Sequence, residues 1–229
     1  TEALLDKYLG LPALVGVDRS DCFKNFVERI RERICVWMAK LLSMGGKELL
    51  LKAVAQAIPV FAMSVFNIPK GVCKDITDLI AQFWWGGDGD KKSMHWYAWW
   101  KLCIPKKMGG MGFRDLHSFN LALLAKQAWR ILQNPESLSA RILKGLYFPN
   151  RTILNAEIGS HPSQIWLAVI EGRDILKLGL IRRIGNGSAT NIWQDNWLPT
   201  AVMMRPYGRR GDSSNAENVS ELIDKTAAT

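Results

Sequence analysis

The chain of 229 residues has no uninterrupted apolar run of about 18 residues, the length a helix needs to cross a bilayer. No membrane partner is therefore expected. The closest stretch, AVAQAIPVFAMSVF at 53–66, is short and carries Pro59. No secretory leader opens the sequence, and the first residue is Thr1 rather than Met, so a fragment or a processed product is expected. Cysteine is scarce, with Cys22, Cys35, Cys73 and Cys103 far apart. None of them has the two-to-four-residue spacing that places two thiolates on one zinc ion. His95, His117 and His161 are equally scattered. Reduced, buried cysteines of an intracellular protein are the expectation.

Catalytic signatures are missing too. There is no G-x-x-x-x-G-K-[ST], G-x-S-x-G or H-E-x-x-H, and no G-x-G-x-x-G opening a helix. Two-metal phosphoryl chemistry needs carboxylates held close together, and no two aspartates are adjacent anywhere in the chain. GGDGD at 86–90 lacks the continuation of a calcium loop and reads as a solvated turn. Asp195, in WQDNW, reads as a hydrogen-bonding residue of a hairpin rather than an acid catalyst. No cofactor and no catalytic residue are expected. With 48% hydrophobic residues the chain is too apolar to be wholly disordered.

What the chain has in excess is positive charge, a net of +9, and it is unevenly placed. Residues 101–150 hold eight basic and two acidic side chains, whereas residues 1–100 hold thirteen and eleven. A concentrated basic segment attracts polyanions and gives salt-sensitive binding, although solvated helix faces are often basic as well.

Periodicity predicts a mainly α chain: a three-helix bundle followed by further helices with short β-hairpins. KYLGLPALVG at 7–16 reads as a short strand entering a turn, with Asp18 to Asp21 supplying a helix cap. Phe23, Phe26, Val27, Ile30, Ile34, Trp37, Met38 and Leu41 form one stripe of a helix over 21–43. A second helix starts near Gly46 and is kinked or ended by Pro59. A third covers 72–85, with Val72, Ile76, Leu79, Ile80 and Phe83 inward. A fourth spans 116–133. Asn134 then caps a fifth with Pro135 at its first position, whose apolar face is Leu138, Ile142 and Leu146. Residues 162–178 make another helix, closed by Gly179. Asn186-Gly187 predicts a hairpin over 180–199. Three segments are expected: 1–87, a strand end and helical subdomain; 88–199, a tryptophan-rich region of helices and a hairpin; and 200–229, a polar linker in which VSELID begins a further element.

HWYAWWKLCIPKKMGGMGF at 95–113 combines three of the ten tryptophans with three of the lysines of that basic segment. MHWYAWW suits an extended segment by its aromatic content. PKKMGGMG is a turn in which Gly109 and Gly110 adopt positive φ cheaply. Lys101, Lys106, Lys107 and Arg114 surround Trp96, Trp99 and Trp100, while Lys126 and Arg130 flank Trp129. An indole beside a cation can stack on a base while the cation meets a phosphate. An indole can equally fill a core. Core is the expectation for most of these tryptophans, and exposure for the lysines of the glycine turn.

The motifs, in order, resemble the reverse transcriptases of plant non-LTR (LINE-type) retrotransposons. The matching pieces are YLGLP at 8–12, SMGGKELLLKAVAQAIPVFAMSVFNIPK at 43–70, FWWGG at 83–87, HWYAWWKLCIPKKMGGMGFRDL at 95–116, NLALLAKQAWRI at 120–131 and IGNGSATNIWQDNWLP at 184–199. The resemblance implies that residues 1–87 comprise the end of the palm and the thumb, which grips the template–primer duplex. It implies that residues 88–199 form the connection ahead of a zinc-binding-like segment and, in many members, a ribonuclease H domain. It places Lys47 and Lys52 on the thumb helix nearest the duplex. The metal-binding aspartates of the family lie in a Tyr/Phe-Ala-Asp-Asp turn upstream of YLGLP, and this sequence does not contain them. Magnesium is thereby implied for the intact polymerase, and no polymerase activity is expected of this chain alone.

The expected partners are template RNA, RNA–DNA hybrid or DNA, and the palm of the parent protein. The expected contact set is Lys47, Lys52, Lys101, Lys106, Lys107, Arg114, Lys126 and Arg130. The family's work implies access to nuclear DNA. A host-retained or relic module binding RNA or protein, without enzymatic activity, remains the alternative.

Overall fold

The computed structural model describes residues 7–8, 11–12, 19–38, 42–86, 94–200, 204–206 and 216–223. The architecture is mainly helical, as the periodicity predicts. Among the described residues no helix is long and apolar enough to cross a membrane. The chain divides into two compact units, residues 1–176 and 177–229.

In the first unit a two-residue strand pair, β1 (Lys7–Tyr8) and β2 (Leu11–Pro12), is antiparallel, with Tyr8 opposite Leu11. Helix α1 (Arg19–Met38) follows. The helix expected to run to residue 43 ends sooner, since residues 42–43 are not helical and Ser43 caps the next helix; residues 39–41, the expected cap at Asp18 and most of GGDGD lie outside the described residues. Phe23, Phe26, Val27, Ile30, Ile34 and Trp37 are buried along one face of α1. They pack on α4 (Lys70–Trp84), whose Val72, Ile76, Ile80 and Phe83 are buried in return. The Trp37 and Phe83 rings tilt together at 5.8 Å.

Between these helices the chain makes α2 (Met44–Leu50), capped by Ser43, whose Oγ accepts from the Gly46 amide. The helix then widens to a π turn over Leu51–Ala55, with Gln56 N donating to Leu51 O. Pro59 has no amide to continue the ladder, and the backbone passes through a turn into the short α3 (Val60–Met63). The widened turn aims Lys52 and Gln56, four residues apart, at the same segment, residues 111–114.

After α5 (Trp99–Cys103) and the glycine turn, α6 runs over Leu116–Gln133, the bounds that periodicity predicts. Asp115 caps it by accepting from Ser118 N at 2.7 Å. Asn120, fully buried, ties α6 to the loop after α3. Its Oδ1 accepts from Ile68 N at 2.8 Å, and its Nδ2 donates to the carbonyls of Met63 (2.6 Å) and Phe66 (2.9 Å). The first core draws on α1, α3, α4, Leu102, Phe113 and Leu116.

A second core forms where the C-terminal half of α6 meets α7 (Leu138–Tyr147) and α8 (Gln164–Gly179). Trp166, wholly buried, stacks on Tyr147 at 4.7 Å and on Phe148 at 5.5 Å, and its Nε1 donates to Ile158 O. Gly172 lets α8 close on α6, because a Cβ there would collide with the Leu124–Ala125 backbone.

Two expectations are corrected here. α7 starts at Leu138 with Ser137 as its cap, not at Pro135. The Asn134 carbonyl instead accepts from the Ser137 amide and hydroxyl, closing a turn. Leu138, Ile142 and Leu146 are exposed; Ala140, Leu143 and Tyr147 pack on the core in their place.

In the second unit, Gly187 takes φ +75°, as the turn signal requires. The expected hairpin over 180–199 nevertheless does not form as paired strands: one backbone bond, from Arg182 N to Asn196 O at 2.7 Å, spans it. Residues 187–192 pair instead with 217–220: Val219 N donates to Thr190 O, Ile192 N to Glu217 O and Ser220 N to Gly187 O. A Cβ at Gly187 would collide with the Ser220 amide, so glycine serves the close approach as well as the turn. VSELID supplies the partner, with Val219 buried and Asn218 and Glu221 forming a capping box. Asp195 is a hydrogen-bonding residue: Oδ2 accepts from Asn191 N at 2.8 Å and pairs with Arg182 at 2.9 Å.

Candidate nucleic-acid interface

The basic turn is built on an aromatic anchor. MHWYAWW is not extended throughout: residues 96–97 bend and α5 begins at Trp99. Successive helical residues point about 100° apart, so Trp99 and Leu102 face in while Trp100 and Lys101 face out. Trp99 stacks on Phe113 at 4.9 Å, and Trp84 meets the same ring edge-on at 5.2 Å. Ile104-Pro105 ends α5, and the chain turns back through Lys106–Met108. Met111 N and Phe113 N donate to Leu102 O, and Gly112 N donates to Ile104 O. The positive-φ residues are Gly109 (+88°) and Gly112 (+69°), not Gly110. Gly110 is needed for a different reason, since a Cβ there would collide with the Ile104 carbonyl.

The expected contact residues divide by environment. Lys52 is half-buried. Its Nζ pairs with Glu48 at 2.7 Å, donates to Met111 O at 2.6 Å and lies 5.3 Å from the Phe113 centroid. Lys47 donates to Phe83 O at 3.4 Å, among the last carbonyls of α4, where the helix dipole favours a cation. Both lysines therefore fasten α2 to neighbouring elements. Lys106 also pairs with Glu48, at 2.7 Å, but its side chain is 63% exposed. The hydrogen bonds from Lys106 and Lys52 hold the Glu48 carboxyl below its ordinary value, against a smaller opposing effect of burial. Lys101 is exposed, its Nζ 5.7 Å from the Trp100 centroid, and Lys107 is exposed on the turn. From Lys91 to Arg114 the sequence has no carboxylate, so Glu48 is the acid that reaches this edge by a described contact.

Arg114 is exposed over the Phe119 ring at 4.6 Å, at the start of α6. Lys126 and Arg130 lie farther along that helix. At 1.5 Å per residue, Arg130 is about 20 Å beyond Leu116. It donates to Gln127 and lines a groove of about 840 Å³ with Gln133, Ser137 and Leu143. The eight cations thus do not form one patch. Lys101, Lys106 and Lys107 share the glycine-turn edge, Lys52 supports it, Lys47 holds the end of α4, Arg114 lies over Phe119 at the start of α6, and Lys126 and Arg130 stand apart.

The tryptophans need the opposite correction. Trp37, Trp84 and Trp166 are buried and Trp99 is half-buried, but Trp96 is 73% and Trp100 64% exposed, and Trp129 is exposed too. Trp100 points outward because one helical step of about 100° separates it from Trp99. The expectation of buried cysteines also fails at Cys35, which is exposed. Burial, with Asp115 nearby, pushes the thiols of Cys73 and Cys103 up to about 11. The residues that sequence reasoning missed are Glu48, Gln56, Asn120 and Phe113. Glu48 was readable from its i,i+4 spacing to Lys52; the others act on distant segments and have no local signal.

No family model matches the chain. It is 34% identical over 194 residues to the putative ribonuclease H protein At1g65750 of Arabidopsis thaliana, a match covering 82% of this chain and 31% of that protein. The chain thus spans about a third of that relative. Over 151 residues it is 43% identical to the uncharacterized mitochondrial protein AtMg00310 of Arabidopsis thaliana, covering 66% of this chain and 98% of that protein. The chain belongs to a family of plant proteins. Its family is that of the mitochondrial protein AtMg00310.

Proposed function

We propose that the chain is the thumb and connection segment of a plant LINE-type reverse transcriptase, and that it holds template–primer nucleic acid by the phosphate backbone without catalysing a reaction. The observation that carries this reading is the basic edge that presents Lys101 on α5 and Lys106 and Lys107 on a glycine turn anchored by Phe113 and Lys52, in a stretch of sequence, 91–114, that has no carboxylate of its own. Kinship with a putative ribonuclease H protein over most of the chain supports it, since the resembled family carries such a domain after the connection. The magnesium of the intact polymerase belongs to the palm. Among the described residues no group of three or more His, Cys, Asp or Glu side chains could hold a metal ion.

Anisotropy of a labelled RNA–DNA hybrid, measured from about 50 to 200 mM salt, tests the reading. Binding should weaken steeply over that range. Lys106→Ala/Lys107→Ala should lose about two units of the log–log salt slope while the protein stays folded. A folded protein that fails to bind would remove it.

One observation favours a second reading, a free-standing interaction module. The mitochondrial relative is matched over 98% of its length by 66% of this chain, so that relative consists almost wholly of sequence shared with this segment. Binding of single RNAs with the same salt dependence but no preference for a primed hybrid would favour that reading.

A further inference from the structure

The backbone-grip reading uses the lysines of the glycine-turn edge and leaves its aromatic rings without a role. Trp96, Tyr97 and Trp100 are 73%, 59% and 64% exposed, all within one bend and the first turn of α5. Trp85 and His95 stack at 6.2 Å at the base of the bend, and Trp99 is locked on Phe113, so the segment is fixed from both sides. Lys101 lies against the Trp100 ring, and Lys106 and Lys107 follow on the turn.

Exposed indoles interleaved with lysines fit a particular chemistry. Protein interfaces are enriched in tryptophan but depleted in lysine. A nucleic-acid duplex offers phosphates to the lysines, but the faces of its bases are stacked on one another and closed to an indole. Unpaired nucleotides offer both a free π-face and a phosphate at each step, and base–aromatic stacking tolerates any sequence. We propose that the edge from Trp96 to Lys107 binds unpaired nucleotides, with bases stacked on Trp96 and Trp100 and phosphates held by Lys101 and Lys107. The indoles then engage single-stranded template or primer beside the duplex, while the lysines of the turn serve phosphates of either. This rests on the nucleic-acid reading above and specifies its ligand.

The test compares a labelled 20-nucleotide oligo(dT) with a blunt 20-base-pair RNA–DNA hybrid, both by anisotropy against the full chain. Trp100→Ala and Trp96→Ala are measured beside Trp100→Phe, each checked by circular dichroism and a cooperative melt. Loss of one stacked base should weaken oligo(dT) binding about five- to 150-fold. Trp100→Phe should restore most of that loss, and hybrid binding should stay within about twofold. If the alanine variants bind oligo(dT) like the parent, stacking is overturned while backbone binding stands. If they lose oligo(dT) and hybrid equally, the preference for unpaired strands is overturned. If the folded parent binds neither, this inference and the nucleic-acid reading fall together. If the variants lose self-association but keep oligo(dT) binding, the rings belong to a protein contact and the inference is overturned.

Discussion

The glycine turn has two sides that use the same residue types for different ends. On the buried side, Lys52 reaches Met111 O and the Phe113 ring and Gln56 pairs with the Arg114 backbone; deeper in the same core, away from the turn, Asn120 fastens α6 to the loop after α3. On the exposed side, Trp96, Trp100, Lys101 and Lys107 have few protein partners among the described residues. A lysine or tryptophan in the sequence does not declare which side it serves. The division is set by where α2, with its π turn, and α5 point their successive residues. Substitutions on the first side should therefore act on stability, and on the second side on binding.

The largest effect expected on the buried side is at Asn120. Alanine there leaves the carbonyls of Met63 and Phe66 and the amide of Ile68 unpaired in a closed interior. Each unsatisfied group costs about 1–3 kcal/mol, so Asn120→Ala should destabilise by about 3–5 kcal/mol after partial relaxation. Urea denaturation followed by circular dichroism reads this directly. A change below about 1 kcal/mol would show that this clamp is not needed and would blur the distinction between the sides.

Lys52→Met comes next. It keeps the aliphatic stem over Phe113 and removes the charge, so packing is nearly held while the bond to Met111 O and one of the two partners of Glu48 are lost. Charge-assisted hydrogen bonds contribute about 1.5–3 kcal/mol, and about 2 kcal/mol of stability should be lost. Weaker hybrid binding at unchanged stability would instead move Lys52 to the binding side.

Glu48 makes the comparison sensitive to pH. Lys106 and Lys52 hold its carboxyl lower in the folded than in the unfolded protein. Its contribution is present above the unfolded value and is lost as pH falls through the folded one, because the unfolded chain takes up the proton first. Stability should thus fall on acidification through and below the ordinary glutamate range, and Glu48→Gln should flatten that part of the profile. An identical slope in the variant would assign acid lability to other carboxylates.

These outcomes bear on what the sequence made legible. α4 and α6 were readable because each carries a single apolar stripe with a clear stop or cap, Asp115 in the case of α6. The start of α7 was not. Asn134-Pro135 and Ser137 are competing caps three residues apart, and a carbonyl turn decides between them. Its buried face was misread because Leu138, Ile142, Leu146 and Ala140, Leu143, Tyr147 are both helical stripes, and only tertiary packing selects one. Gly187 takes the positive φ that the Asn186-Gly187 signal requires, but the hydrogen-bonded turn runs from Gly187 to Thr190, and the partner of residues 190–192 lies about 30 residues on, beyond the reach of any local pattern. At the candidate site the cations were legible as a charge excess. Their division into supports and exposed contacts was not, because it depends on Glu48, Met111 and Phe113 meeting in space.

The smallest effect on stability is expected where the effect on binding is largest. Lys106 and Lys107 are exposed, and a surface ion pair such as Lys106–Glu48 contributes about 0.2–1 kcal/mol. Glu48 keeps Lys52 when Lys106 is removed, so its charge is not stranded. Lys106→Ala/Lys107→Ala should accordingly melt within about 0.5 kcal/mol of the parent, and the same sample should show the reduced salt slope. Stability and slope moving together would mean that the turn's shape, rather than its charge, had been lost. Lys106→Met/Lys107→Met separates the two causes. It keeps the stems on the turn and removes only the cations, so an electrostatic role requires the same loss of slope as the alanine pair, and a shape role requires the slope to return.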